Sequence, residues 1–286
     1  MKRVTNAIIK RVPALLAVAA FLVVISGCSA DRRLAKEFVA MEERPPVIIK
    51  EPSTIYMVSY KETDTDTTGL KPWQVDSIRF HESDIVKHIN PDSVRMMFFT
   101  AFRNQLEAFN FRVYQGKEIA EILDDDSAKP LIMHFPQMEM EEYTQPYTHE
   151  EYINRKKYYK NFDLDAVNLN TWLRLGRRGE TQNEYYFISD SITDVVDGHY
   201  YRDKKSGRVK YRYKYHEVES SDVYHFMQDM GRNYAQYIFD HYLNRFVEMN
   251  RNTDGSRSYM YHYDPESEEF LLIRNQPWIE MESPKQ

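Results

Sequence analysis

The chain has 286 residues, with 38 Lys and Arg against 44 Asp and Glu, a net charge of −6. That balance argues against phosphate-backbone binding as its main work. A single cysteine excludes any disulfide within the chain, so stability must come from an apolar core, which 22 Tyr and 15 Phe make aromatic-rich.

Lys2, Arg3, Lys10 and Arg11 form a basic, acid-free front. An apolar run from Val12 to Ile25 follows, interrupted only by Pro13, and Ile25-Ser26-Gly27-Cys28 closes it. The run is shorter than a mature membrane-spanning helix needs, and its flank is that of a secretory signal. A plain membrane anchor is the alternative, but nothing apolar extends the run past Ala30. Small residues before Cys28 suit a peptidase, and a thiol is the side chain best able to take up a lipid.

This stretch resembles the leader of bacterial lipoproteins, whose lipobox is an aliphatic residue, two small residues and a cysteine. The resemblance implies a signal peptide over 1–27, cleavage before Cys28, and acyl chains such as palmitate on Cys28 as the membrane anchor. More than one chain would make the anchoring stable. The leader holds four of the 38 bases and no acid, so the mature part carries 34 against 44, a charge of about −10. Ser29 is compatible with the outer membrane in that family, whose retention signal is an Asp in this place. Asp31 is followed by Arg32 and Arg33 rather than by more acids, which departs from the pattern of surface-exposed relatives. A periplasm-facing domain in the cell envelope is therefore expected.

Residues 28–46 read as a lipidated amino terminus and polar tether ending at Pro45-Pro46. Val47-Ile48-Ile49 and Ile55 to Val58 read as extended pieces. Asp64, Asp66, Thr68 and Gly69 mimic a calcium loop, but its twelfth place is Val75, and the same defect at Tyr261 spoils Asn250 to Gly255. Asn90-Pro91-Asp92 predicts a helix start. Val94, Met97, Phe98, Ala101, Phe102, Gln105 and Phe109, widened by Phe99 and Leu106, give that helix one apolar face. A short strand over Phe111 to Tyr114 and a short helix over Gly116 to Leu123 follow, ending in Asp124-Asp125-Asp126.

From Leu131 the pattern becomes strand-like: Leu131 to Glu142, Val167 to Leu175, Glu184 to Val196 and Val209 to Val218. Turns at Gly176 to Gly179 and at Lys205 to Gly207 predict an antiparallel meander. Tyr143 to Asp165 reads as a long connecting loop rich in tyrosine, a candidate binding segment. The strand Val209 to Tyr215 puts tyrosines on one face and bases on the other, as a half-buried sheet strand would. Ser221-Asp222 opens the longest helix, running to about Met249, and Tyr259 to Ile273 forms a terminal hairpin around Asp264-Pro265.

Catalytic constellations are absent from the pattern. His81-Glu82, His149-Glu150 and His216-Glu217 are followed four places on by Ile85, Ile153 and Ser220, so no zinc-protease helix results. His225 with Asp229, and Tyr237 with His241, each supply two ligands without a third. There is no nucleophile elbow and no phosphate-cradling glycine loop.

The reading is an α+β fold, an antiparallel β-meander with two main amphipathic helices packed on it, as a single domain over 47–286. In layout this is similar to small envelope-assembly lipoproteins. A non-catalytic accessory or scaffold lipoprotein is expected, with no cofactor beyond the lipid on Cys28 and no metal. Its partners are a membrane, through the acyl chains, and another envelope protein, with no nucleic acid. Tyr152, Tyr158 and Tyr159 are the candidate partner-binding residues. The alternative is a surface lipoprotein that binds glycan through Trp73, Trp172 or the tyrosines of the long loop.

Overall fold

The computed structural model describes residues 30–124, 129–179, 183–251 and 257–282. The described chain divides into two compact units, one of 45–235 with 277–282 and one of 30–44 with 236–276. Both helices and strands contribute, so the class is mixed α and β.

The larger unit is built on one mixed sheet. Strands β1 (Val47–Lys50), β2 (Tyr56–Ser59) and β3 (Val113–Tyr114) run parallel to their neighbours, with β1 between β3 and β4 (Leu131–Ile153). β4, β5 (Lys156–Arg177), β6 (Glu184–Thr193) and β11 (Ile279–Met281) continue it antiparallel. The expected all-antiparallel meander is thus corrected. Consecutive antiparallel pairing holds for β4 to β6, while the short strands before them join in parallel through helical crossovers.

Helix α3 (Pro91–Ala108) begins as its sequence predicts: Asn90 Oδ1 accepts the Ser93 N–H at 2.9 Å and Pro91 occupies the first turn. Its buried face is Val94, Phe98, Phe99, Phe102 and Leu106. Phe135 of β4 meets the rings of Phe98, Phe99 and Phe102 at 6.1, 5.0 and 5.4 Å. Tyr234 of α5 (Ser220–Asn250) closes the cluster 5.3 Å from Phe98. Gly231 lets α5 reach the α3 backbone, because an added Cβ there would strike the Phe98 carbonyl oxygen. α2 (Pro72–Glu82) buries no residue, so no apolar stripe announced it. α4 (Glu118–Asp124) is the short helix expected after β3, and Asp125 and Asp126 lie outside the described residues.

In the smaller unit, residues 30–39 form helix α1 rather than a bare tether, because Ala35 and Phe38 have a core to enter. Phe38 sits 5.4 Å from Phe239 and 5.5 Å from Phe246. The Arg44 guanidinium lies 5.0 Å from the rings of both Phe38 and Phe239 and donates to the Phe38 carbonyl at 2.9 Å. The hairpin of β9 (Met260–Asp264) and β10 (Glu269–Ile273) completes the unit.

Gln236, Asp240 and Asn244, spaced by one helical turn, serve β9 as an adjoining strand would. Asn244 accepts the Tyr261 N–H at 2.8 Å and donates to its carbonyl at 2.7 Å. Gln236 donates to the Tyr263 carbonyl at 2.9 Å, and Asp240 accepts the Tyr263 N–H at 3.0 Å. His262 Nδ1 faces the other Asp240 oxygen at 2.6 Å, a hydrogen bond that raises the His262 pKa above its ordinary value.

A raised histidine pKa stabilises the fold fully below the ordinary value near 6.5, and that contribution is lost as pH rises through the raised one. The thermal midpoint of the wild type is therefore expected to fall between pH 6 and 8.5 more steeply than that of His262→Asn. Parallel pH profiles for the two proteins would contradict this.

Candidate interaction arm

The stretch from Tyr143 to Asp165 is not a loop. It is the distal half of the β4–β5 hairpin, whose register runs unbroken from Gln137↔Trp172 to Ile153↔Lys156. Asn154 and Arg155 form its turn with φ of 50° and 66°, both left-handed, as a two-residue type I′ turn requires. β1 and β2 accompany β4 only as far as Glu142, and β6 accompanies β5 only from Ala166 onward. Beyond these points the hairpin extends past the sheet as a two-stranded arm. Tyr60 N–H bonds to the Glu142 carbonyl at 2.7 Å, so backbone groups in the phase of Glu142 face that outer edge. Pro146 falls in this phase, where its missing N–H costs no ladder bond.

One face of the arm carries Tyr147, His149, Glu151, Tyr158, Lys160 and Phe162. A second hairpin, β7 (Val195–Arg202) with β8 (Val209–His216), packs over it. Tyr200 lies 5.6 Å from Tyr158 and 6.2 Å from His149, and Phe162 lies 5.2 Å from Tyr213. The Tyr200 N–H donates to the Glu151 carboxylate at 2.9 Å. Gly198 leaves room for the Tyr211 ring, which an added Cβ would strike. The tyrosine face expected of Val209 to Tyr215 is therefore turned inward. It closes on the arm rather than on the main sheet, because the predicted strand Glu184 to Val196 breaks at Asp194.

Asp194 makes that break and holds it. The residue is 4% exposed. Its Oδ2 accepts the Asp165 N–H at 2.8 Å and the Tyr215 hydroxyl at 2.5 Å, and its Oδ1 accepts the Val218 N–H at 2.7 Å. Its own N–H donates to the Asp165 carbonyl at 2.9 Å. Burial and this hydrogen bond both raise the Tyr215 pKa, so the hydroxyl stays a donor.

The other side of the root is equally bound. The fully buried Glu142 carboxylate accepts the N–H groups of Asp84, Ile85 and Val86 at 2.9, 2.9 and 2.8 Å, capping the short 3₁₀ turn Val86–His88. Lys61 Nζ bonds Asp165 at 2.8 Å, pairs with Asp84, and lies 3.6 Å from Glu142. Burial opposes the Lys61 charge, but the hydrogen bonds to Asp165 and Asp84 outweigh it and raise its pKa.

The opposite face of the arm carries Thr148, Glu150, Tyr152, Lys157, Tyr159 and Asn161. Tyr152 is 71% exposed and Tyr159 is 69% exposed. Lys157 bonds Glu150 at 2.8 Å between them. Of the three predicted tyrosines, these two share an open face, whereas Tyr158 points to the other and packs on Tyr200. Cys28 lies outside the described residues.

Elsewhere, Trp73 is exposed on α2, while Trp172 packs 5.1 Å from Phe187. Asp66 accepts the Thr68 N–H at 3.0 Å within its own turn, and Asn252 to Gly255 of the second calcium-like stretch lie outside the described residues. Asp229 pairs with Arg232. Among the described residues, no group of three or more His, Cys, Asp or Glu could hold a metal ion, and no helix is long and apolar enough to cross a membrane. The chain matches no protein-family model and no curated protein.

Asp194→Asn keeps the size of the side chain but sets an NH₂ donor against backbone donors. A loss of about 1–3 kcal/mol is expected in a denaturant titration, with faster amide exchange over 195–216. Unchanged stability and exchange would remove Asp194 as the clamp.

Proposed function

We propose that the chain is a membrane-anchored, periplasm-facing lipoprotein of the cell envelope, a non-catalytic accessory or scaffold subunit that grips another envelope protein with its arm. The observation that carries this reading is the open face of Tyr152 and Tyr159 on an arm that the sheet does not need. Tyrosine buries a large area at low entropic cost, which suits it to a contact surface. The arm is held by hydrogen bonds at its root and by aromatic packing along one face, so the open face is presented in a set geometry and less ordering is needed on binding. The lipobox resemblance at Cys28 supports the membrane address, and acyl chains there would supply the anchor.

One experiment tests both halves. The partner is captured from membranes in mild detergent by tagged wild type, by Cys28→Ala, and by Tyr152→Ser with Tyr159→Ser. The alanine variant is expected in the soluble fraction after a high-salt wash. The double serine variant is expected to stay on the membrane, to lose the partner, and to change stability by less than about 1.5 kcal/mol, as surface substitutions do. Full partner recovery by the serine variant would place the interface elsewhere. Membrane retention of the alanine variant through a high-salt wash, which releases electrostatic contacts, would refute the lipid anchor.

A further inference from the structure

The β7–β8 hairpin has a second face, which neither packs on the arm nor enters the partner contact proposed above. Asp197, His199 and Tyr201 stand on it opposite Lys214, Arg212 and Lys210. Residues 195–216 hold seven Lys and Arg against two Asp, a charge of +5 within a chain whose net charge is −6. Lys210, Arg212 and Lys214 are exposed, as are Arg202, Lys204, Lys205 and Arg208 around the turn. Lys210 pairs with Asp203, and the Arg212 guanidinium lies 5.2 Å from the Tyr201 ring. Among the described residues, no ion pair joins Arg202, Arg208, Arg212 or Lys214 to a carboxylate. A merely solvated face normally mixes both signs in comparable number, whereas seven bases here face two acids, Asp197 and Asp203.

We infer that this face docks on an anionic lipid surface. Charge complementarity demands an anionic occupant, and the shape of the face selects a bilayer. The strand cations lie in a row on a two-stranded ribbon, two residues and so about 7 Å apart along it. They are exposed on long side chains, which suits them to many anionic groups spread over a surface rather than to one fixed carboxylate. A field of laterally mobile phosphates fits such an array. Tyr201, with an apolar ring and a polar tip, is suited to the headgroup level. The inference stands on this surface alone and does not require the partner contact.

The test uses the full chain on phosphatidylcholine vesicles with and without phosphatidylglycerol. The amino-terminal segment is the same in all proteins compared, so a change in the ratio of binding to charged over neutral vesicles isolates the hairpin. Each cation near a charged bilayer contributes on the order of fivefold, so neutralising Lys210, Arg212 and Lys214 to Gln is expected to lower the ratio at least tenfold at low salt. The exchange Lys210→Arg, Arg212→Lys and Lys214→Arg should keep it. An unchanged ratio for the Gln variant, with native circular dichroism, would overturn the inference. So would binding of the wild type to immobilised poly-glutamate that is tighter than to phosphatidylglycerol vesicles and lost in the Gln variant, which would make an acidic protein the occupant.

Discussion

A single buried carboxylate sets the form of the larger unit. At Asp194 the chain leaves the sheet edge, and three donors from three different segments converge on its two oxygens. Left unpaired, such a group would cost several kcal/mol; fully bonded, it specifies where each segment must lie. Asp165 ends the arm, Tyr215 stands near the end of the second hairpin, and Val218 leads into α5, so one side chain fixes the relation of all three. The neighbouring bonds of Lys61 with Asp165 and Asp84, and of Glu142 with three backbone N–H groups, extend the same constraint across the root.

From that root, two hairpins close on each other with tyrosine, histidine and phenylalanine between them. The packing is aromatic rather than aliphatic because a two-stranded layer is thin. Large rings with polar tips can fill it and still tolerate water at their edges. The arrangement leaves two outward faces of different chemistry: tyrosines beside a Lys157–Glu150 pair on one, and a row of bases on the other. A lone hairpin is marginal in water, so each hairpin depends on the other for its order.

Much of the scaffold was legible. The cap at Asn90 and the apolar stripe of α3, the length of α5 and the terminal hairpin all follow from local pattern. The arm was not. Its turn is Asn154-Arg155, where Asn tolerates the left-handed region but Arg supplies none of the glycine signal that marks a type I′ turn. Its strands alternate tyrosine with polar residues on both faces, because neither face is wholly buried, and periodicity therefore does not separate strand from loop there. The break at Asp194 was equally hidden: an aspartate within a strand pattern looks like an exposed residue until its three donors are known. α2 left no trace because it buries nothing, and α1 looked like a tether because its contribution to a core comes from few residues, chiefly Ala35 and Phe38. The two candidates Tyr152 and Tyr159 were reached through composition, and only the register separates them from Tyr158.

The account stands or falls on the tyrosine face of the arm touching a protein in the envelope. The direct measurement is a photo-crosslinking amino acid placed at position 152, and separately at Trp73 on α2, in cells carrying the full chain. The account predicts a discrete adduct with another envelope protein from position 152 and none from position 73. A clean absence of adducts at 152, with a discrete one at 73, would contradict it.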